Sequence, residues 1–105
     1  MDELIRALEA TEYPFAHFAW ARAPDETYGT YSEDGLNRLA GDDKSAEKAR
    51  IVYVALFTKD DSGAPEETIE AALDSISCAW YLNTVQYEED TRLIHYEWVV
   101  EVCPA

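Results

Sequence analysis

The sequence is poor in positively charged residues. Only 8 of its 105 residues are Lys or Arg, whereas 22 are Asp or Glu, and the formal net charge at pH 7 is −14. A chain with this charge repels the phosphate backbones of DNA and RNA. The composition therefore argues against specific nucleic-acid binding. It also favours a protein whose copies stay apart in solution unless a specific interface forms between them.

Cysteine and long apolar runs are scarce as well. The two cysteines, Cys78 and Cys103, are too few for a disulfide framework, so we expect free thiols in a reducing compartment. No apolar run approaches the roughly 20 residues of a membrane span. The acidic Met-Asp-Glu start lacks the pattern of a secretory signal. These features predict one cytoplasmic domain over residues 1–105, with no membrane partner.

Motifs that carry enzymatic or metal chemistry are also missing. There is no G-x-S-x-G nucleophile motif and no phosphate-binding loop. The acidic groups at 66–67 and 88–90 lie at a predicted helix start and a predicted turn, where acids are common for structural reasons. The residues with soft metal ligands, His17, His95, Cys78 and Cys103, lack the close paired spacing of zinc sites. We therefore predict that the protein is not an enzyme and has no catalytic residue, metal or cofactor.

Apolar periodicity predicts two helices. Hydrophobic residues make up 48% of the chain, which is enough for one core. Leu4, Ile5 and Leu8 share one face of a helix predicted over 2–10, and Pro14 prevents that helix from continuing. A second amphipathic helix is predicted from Pro65 to about Ser77, because residues 69, 73 and 76 are apolar at helical spacing.

Five segments read as strands, and a long loop is predicted over Ser32–Lys48, which is rich in turn-forming residues. Strand 49–58 is apolar on both faces and should be central. The last two strands alternate with period two and should form a hairpin, with Tyr81, Val85 and Tyr87 on one face of its first strand. The predicted strands are Phe15–Trp20, Tyr28–Tyr31, Ala49–Thr58, Trp80–Glu89 and Leu93–Val102.

These elements predict an α+β fold in the order α-β-β-(loop)-β-α-β-β. The sheet should be small and mainly antiparallel, with both helices on one face. The hairpin and the short strand around Tyr28–Tyr31 should leave at least one sheet edge open. Native proteins either guard such an edge or use it for association.

The acidic surface has two interpretations. It could imitate the phosphate spacing of DNA, as in an acidic inhibitory protein that binds a nucleic-acid-binding enzyme. It could instead be a solvated surface that resists aggregation. The acids fall in scattered pairs through predicted loops and turns, which favours the second interpretation.

Three stretches together resemble small prophage-encoded tail proteins of Gram-positive bacteria, the tail terminator or tail completion group. The first is the N-terminal segment from Asp2 to Ala16, with its Pro14-Phe15-Ala16 ending. The second is Val52–Asp60, followed by a Pro-Glu-Glu helix start. The third is Tyr87–Trp98, with the sequence YEEDTRLIHYEW. The resemblance spans nearly the whole chain, and the group has no catalytic motif to match.

The resemblance implies a structural role in virion assembly. Proteins of this group form six-membered rings that cap the tail tube and join it to the head. The implied partners are further copies of the chain, the tail tube protein and the head-completion protein, with DNA passing through the ring. The implied locations are the cytoplasm of the bacterial host during assembly and the virion tail. The residues that we expect at the interface between copies are Leu36, Arg38, Leu39, Tyr28 and Tyr31.

Overall fold

Two helices and five strands make up the described part of the fold. The computed structural model describes residues 2–20, 26–33, 50–76 and 78–102. The α+β class and the two helices are confirmed, and the sheet is mixed. The elements in chain order are α1 (Asp2–Glu9), β1 (Phe15–His17), β2 (Tyr28–Glu33), β3 (Arg50–Thr58), α2 (Ala64–Asp74), β4 (Cys78–Glu88) and β5 (Leu93–Val102).

The sheet has the strand order β1-β2-β3-β5-β4. The β1/β2 pair is parallel, and the other three pairs are antiparallel. β3 and β5 occupy the middle and pair over nine residues, from Arg50 opposite Val102 to Thr58 opposite Ile94. The strand that we expected to be central, β3, therefore lies between β2 and β5.

One face of the sheet is covered by both helices. Alternate residues of β3 and β5 point toward α1 and α2, because successive side chains of a strand point to opposite faces. Trp98 is fully buried at the centre of this layer, and its Nε1–H donates to Glu70 Oε2 at 3.0 Å. The core cluster contains Leu4, Leu8, Val52, Val54, Leu56, Ile69, Leu73, Tyr96, Trp98, Val100 and Val102. The opposite face carries no helix of the described chain, and we call it the helix-free face.

Several boundaries differ from the prediction for local reasons. β1 ends at His17, since Phe18 takes a left-handed φ of 70° and turns the chain. α2 ends at Asp74, where Ser75 Oγ donates to the Ala72 carbonyl at 2.6 Å. The next strand begins at Cys78, two residues earlier than predicted. Its thiol donates to the Leu73 carbonyl at 3.3 Å, which ties the start of β4 to the end of α2.

Gly29 lets β1 approach the sheet. A Cβ at this position would overlap the Phe15 ring and lie 2.6 Å from the Ala55 carbonyl oxygen. Phe15 packs against the core from there. The Gly29 N–H also donates to the Pro14 carbonyl at 2.9 Å, and Trp20 Nε1–H donates to the Gly29 carbonyl at 2.9 Å. The parallel β1/β2 contact therefore depends on a glycine at this point.

Candidate protein-binding site

The outer strand β4 is a long edge with little protection. It runs for 11 residues, contains neither Lys nor Pro, and its only charged residue is Glu88 at the end. Sheet edges in native proteins are usually guarded by Lys, Pro, short strands or bulges, since their unpaired backbone groups otherwise recruit another strand. Of these devices β4 has a bulge, at Asn83. Only β5 pairs with β4 in the described part of the chain. This edge is therefore suited to association.

A β-bulge at Asn83 divides β4 into two halves. The pairing register with β5 shifts between Leu82 and Thr84, and Asn83 Nδ2–H donates to Glu97 Oε1 at 3.1 Å. The extra residue reverses the alternation of side chains for the part of β4 that follows it. Before the bulge, Tyr81 points to the helix-free face. Val85 and Tyr87 point to the helix side instead. The prediction that these three side chains share one face was wrong for this reason.

Apolar side chains are exposed on both halves of this edge. Tyr81 is 58% exposed, Val85 52% and Tyr87 60%. The opposite edge of the sheet, at β1, carries Phe18, which is 63% exposed. These four are the exposed large hydrophobic side chains of the described residues. Each lies on or beside one of the two edge strands, so the candidate surfaces for association are the edges.

The β1 edge is built differently from the β4 edge. The Phe18 backbone N–H donates to the Tyr31 carbonyl at 2.8 Å, which continues the β1/β2 pairing by one residue. His17 Nε2 lies 2.8 Å from Glu33 Oε1, and the His17 ring stacks on Tyr31 with centroids 5.1 Å apart. The Phe18 ring lies 4.1 Å from the His17 ring, between centroids. The two edges thus differ in length and in chemistry.

Two of the residues expected at an interface between copies, Tyr28 and Tyr31, lie in β2 and on opposite faces. β2 is an inner strand between β1 and β3, so of the two elements expected to leave an open edge, the hairpin provides an edge strand, β4, and the Tyr28–Tyr31 strand does not. Tyr28 stacks on Phe57 on the helix-free face, with centroids 5.0 Å apart, and Tyr31 packs against the core. Leu36, Arg38, Leu39 and most of the predicted loop Ser32–Lys48 lie outside the described residues.

Acidic groups dominate the electrostatics near the hairpin end of the sheet. Glu88, Glu89, Asp90 and Thr91 line a shallow, open depression at the β4–β5 turn. Burial, and to a smaller extent the Glu88 carboxylate, raises the pKa of the Tyr28 hydroxyl. Burial also raises the pKa of the Tyr96 hydroxyl, and the carboxylates around the start of α2 raise it further. At both locations, therefore, carboxylates add to the effect of burial on a tyrosine pKa.

The pKa shifts of the carboxyl groups before and at the start of α2 have local structural causes. The pKa of Asp60 is lowered by its hydrogen bonds to Ser62, including the Ser62 N–H at 2.9 Å, which build the turn before α2. The pKa of Glu66 is raised by desolvation and by Glu70 and Glu67. In the described ranges, no three His, Cys, Asp or Glu residues are placed to hold a metal ion.

No known protein family, curated protein or solved structure matches this chain. No helix in the described ranges is long and apolar enough to cross a membrane.

The sequence contained a partial signal for these edges. Alternation at 80–89 predicted a strand with Tyr81, Val85 and Tyr87 along it. Pattern alone does not say whether that strand is an inner or an outer one, because position in the sheet depends on distant pairings. Phe18 carried no signal, since it stands within the predicted strand 15–20 and is distinguished only by its left-handed backbone.

Proposed function

We propose that this chain is a tail terminator-like assembly protein of a phage or prophage. In this role copies of the chain form a ring that caps the tail tube and joins it to the head. The ring would assemble in the cytoplasm of the bacterial host and remain in the virion tail. Its partners would be the tail tube protein and the head-completion protein, with DNA passing through the ring. The likeness to tail terminators comes from the sequence resemblance described above.

One structural observation supports this proposal most strongly. The exposed large apolar side chains of the described residues lie at two unlike edges, Phe18 beside β1 and Tyr81, Val85 and Tyr87 on β4. Contact between unlike surfaces of successive copies is heterologous, and such contacts generate a ring when the rotation between copies closes. Two different apolar edges on one chain suit a heterologous contact better than the contact of a two-fold dimer, which needs one self-complementary patch.

The test uses one variant for each edge. Phe18→Ser removes the apolar group at the β1 edge, and the double variant Val85→Ser/Tyr87→Ser removes two from the helix side of β4. Each variant alone should fail to form rings, because each lacks one half of every contact. A matched control, Ala10→Ser/Ala71→Ser, changes two exposed positions away from both edges and should assemble like the unchanged chain. Multi-angle light scattering on a sizing column measures the mass.

Mixing the two edge variants gives the sharpest result. A Phe18→Ser copy keeps an intact β4 edge, and a Val85→Ser/Tyr87→Ser copy keeps an intact β1 edge. The mixture should therefore form a heterodimer through one contact, and it should not form rings. If Phe18→Ser assembles normally, the contact does not join unlike edges. If the unchanged chain stays a monomer at all concentrations and in the presence of tail tube protein, the assembly role is wrong, and an acidic inhibitory protein becomes the better explanation.

A further inference from the structure

The helix-free face carries an apolar row between two carboxylates. Val99 in β5 lies opposite Tyr53 in β3 and opposite Tyr81 in β4, so the three side chains form a row across the sheet. Glu97 and Glu101 lie in β5 two residues before and two residues after Val99. Four residues of strand span about 13 Å. The row is therefore bracketed by two negative charges at that separation.

Positive charge is missing from this face in the described strands. The outward positions of β2, β3, β4 and β5 on this side include Glu88, Glu97 and Glu101 but no Lys or Arg. Arg50, the first residue of β3, lies two residues before Val52, so its side chain is on the helix side of the sheet as well. Lys59 and Arg92 lie beyond the strand ends, near the β4–β5 turn. As the described strands form it, the part of the face around Val99 is therefore acidic and apolar.

This charge pattern selects among the possible occupants. A second copy of the chain also carries a net charge of −14 and would bring like charges together on this face, at a cost in binding free energy. Nucleic acid and anionic lipid are repelled for the same reason. A segment that bears Lys or Arg on either side of an apolar side chain meets complementary charge at both ends and apolar surface in the middle.

We infer that the helix-free face around Val99 binds a basic protein segment of a different protein, with an apolar side chain over the Tyr53–Val99–Tyr81 row and cationic side chains at Glu97 and Glu101. Tyr81 also lies on the β4 edge, but the side chains that the edge variants remove, Val85, Tyr87 and Phe18, lie outside this surface. The inference does not depend on ring formation.

The test uses a labelled peptide, acetyl-Thr-Arg-Thr-Val-Thr-Arg-Thr-amide, in which an extended chain puts both Arg and the central Val on one face. A peptide of the same composition with the order Thr-Arg-Arg-Thr-Val-Thr-Thr serves as its control. Fluorescence anisotropy at low ionic strength measures the affinity. The ordered peptide should bind at least threefold more tightly than the reordered one, and amide NMR shifts should map to β4 and β5.

Matched charge variants separate this site from diffuse attraction. Glu97→Gln/Glu101→Gln keeps the side-chain shape and lets the residue 97 oxygen still accept the hydrogen bond from Asn83. This variant should bind the ordered peptide at least fivefold more weakly. Glu3→Gln/Glu9→Gln removes two exposed charges from α1 and should change the affinity less than twofold. Unchanged two-dimensional NMR spectra away from the substitutions will show that both variants fold.

Any one of four outcomes would overturn the inference. Equal weakening by both variants would mean that the peptide responds only to net charge. Shifts of Tyr53 and Val99, which lie on inner strands, on dilution without peptide would assign the face to a second copy. Failure of the ordered peptide to bind, or tighter binding of a single-stranded oligonucleotide to the same face, would exclude a basic protein segment. None of these results depends on the edge variants, so failure here and failure of the ring are distinguishable.

Discussion

Trp98 shows how one buried hydrogen bond connects the core to the surface. Its ring is fully buried, and its Nε1–H reaches Glu70 on the rim of α2. A buried donor that loses its acceptor costs about 1–3 kcal/mol of folding stability. Period-two alternation placed Trp98 on the buried side of its strand, but it could not identify Glu70 as the acceptor, since 28 residues separate them.

We predict that Glu70→Ala lowers the free energy of unfolding by about 1–3 kcal/mol, because it leaves the Trp98 N–H unpaired in the core. Glu70→Gln should cost less, since its amide oxygen still accepts. Urea unfolding followed by tryptophan fluorescence measures both. Glu67→Ala, on the same helix but exposed, is the control, and an equal loss there would show that the effect comes from the helix rather than from the hydrogen bond.

Glu66 predicts a pH dependence of stability. Desolvation, then Glu70 and Glu67, raise its pKa in the folded state. An acid with a raised folded pKa binds its proton more tightly when folded, so its contribution to stability falls as the pH rises above its unfolded value. We predict that Glu66→Gln raises the free energy of unfolding at neutral pH by about 0.2–0.5 kcal/mol, the size of one like-charge pair on a helix.

That gain should shrink as the pH falls to the unfolded pKa of a glutamate, about 4.3, and disappear below it, because Glu66 is then protonated in both states. Thermal unfolding of the two proteins across this pH range is the measurement. A gain that persists at acid pH would assign the effect to helix propensity instead of charge.

At the scale of elements, the close approach of β1 to β2 depends on Gly29. We predict that Gly29→Ala destabilises the fold by about 1–3 kcal/mol, as expected for overpacking. The new Cβ meets the Phe15 ring and also the Ala55 carbonyl, which is backbone and cannot move away cheaply. Chemical denaturation measures the loss.

A second substitution distinguishes the two contacts. Phe15→Leu in the Gly29→Ala background relieves the ring overlap but leaves the Ala55 carbonyl in place, so it should recover only part of the stability. Full recovery would show that the ring alone sets the cost. Gly63 is the residue before α2, with a φ of 92°, and no heavy atom lies within 4 Å of the position its Cβ would take. Gly63→Ala should therefore destabilise the fold through backbone strain alone.

The element scale also shows where sequence pattern stops being informative. Periodicity predicted the helices and most of β3 and β5, because burial on one or both faces leaves a direct mark in the alternation. It missed the bulge at Asn83, since an extra residue is visible only against the partner strand. It also missed the parallel placement of β1, which makes β2 an inner strand. Both misses concern how one strand pairs with another, and both decide which side chains form the candidate edges.

At the scale of the whole molecule, the charge of −14 acts against every contact between copies and for every contact with a basic partner. The contacts proposed between copies are apolar, at Phe18 and at Val85 and Tyr87, whereas the contacts proposed on the helix-free face are charged, at Glu97 and Glu101. Salt screens charge–charge terms, with a Debye length that falls from about 10 Å at 0.1 M to about 3 Å at 1 M. The two associations should therefore respond to salt in opposite directions.

We predict that raising the NaCl concentration strengthens assembly of the chain and weakens binding of the Arg-containing peptide. Screening reduces the repulsion between acidic copies while it leaves the apolar edge contacts intact, and it removes the attraction between the peptide and its two carboxylates. Sedimentation velocity and anisotropy over one salt series measure the two effects side by side. Glu97→Gln/Glu101→Gln should flatten the salt dependence of peptide binding and leave the assembly curve almost unchanged. Assembly that weakens with salt would mean that the copies meet through charge pairs, and the apolar edges would then not be the contact that closes the ring.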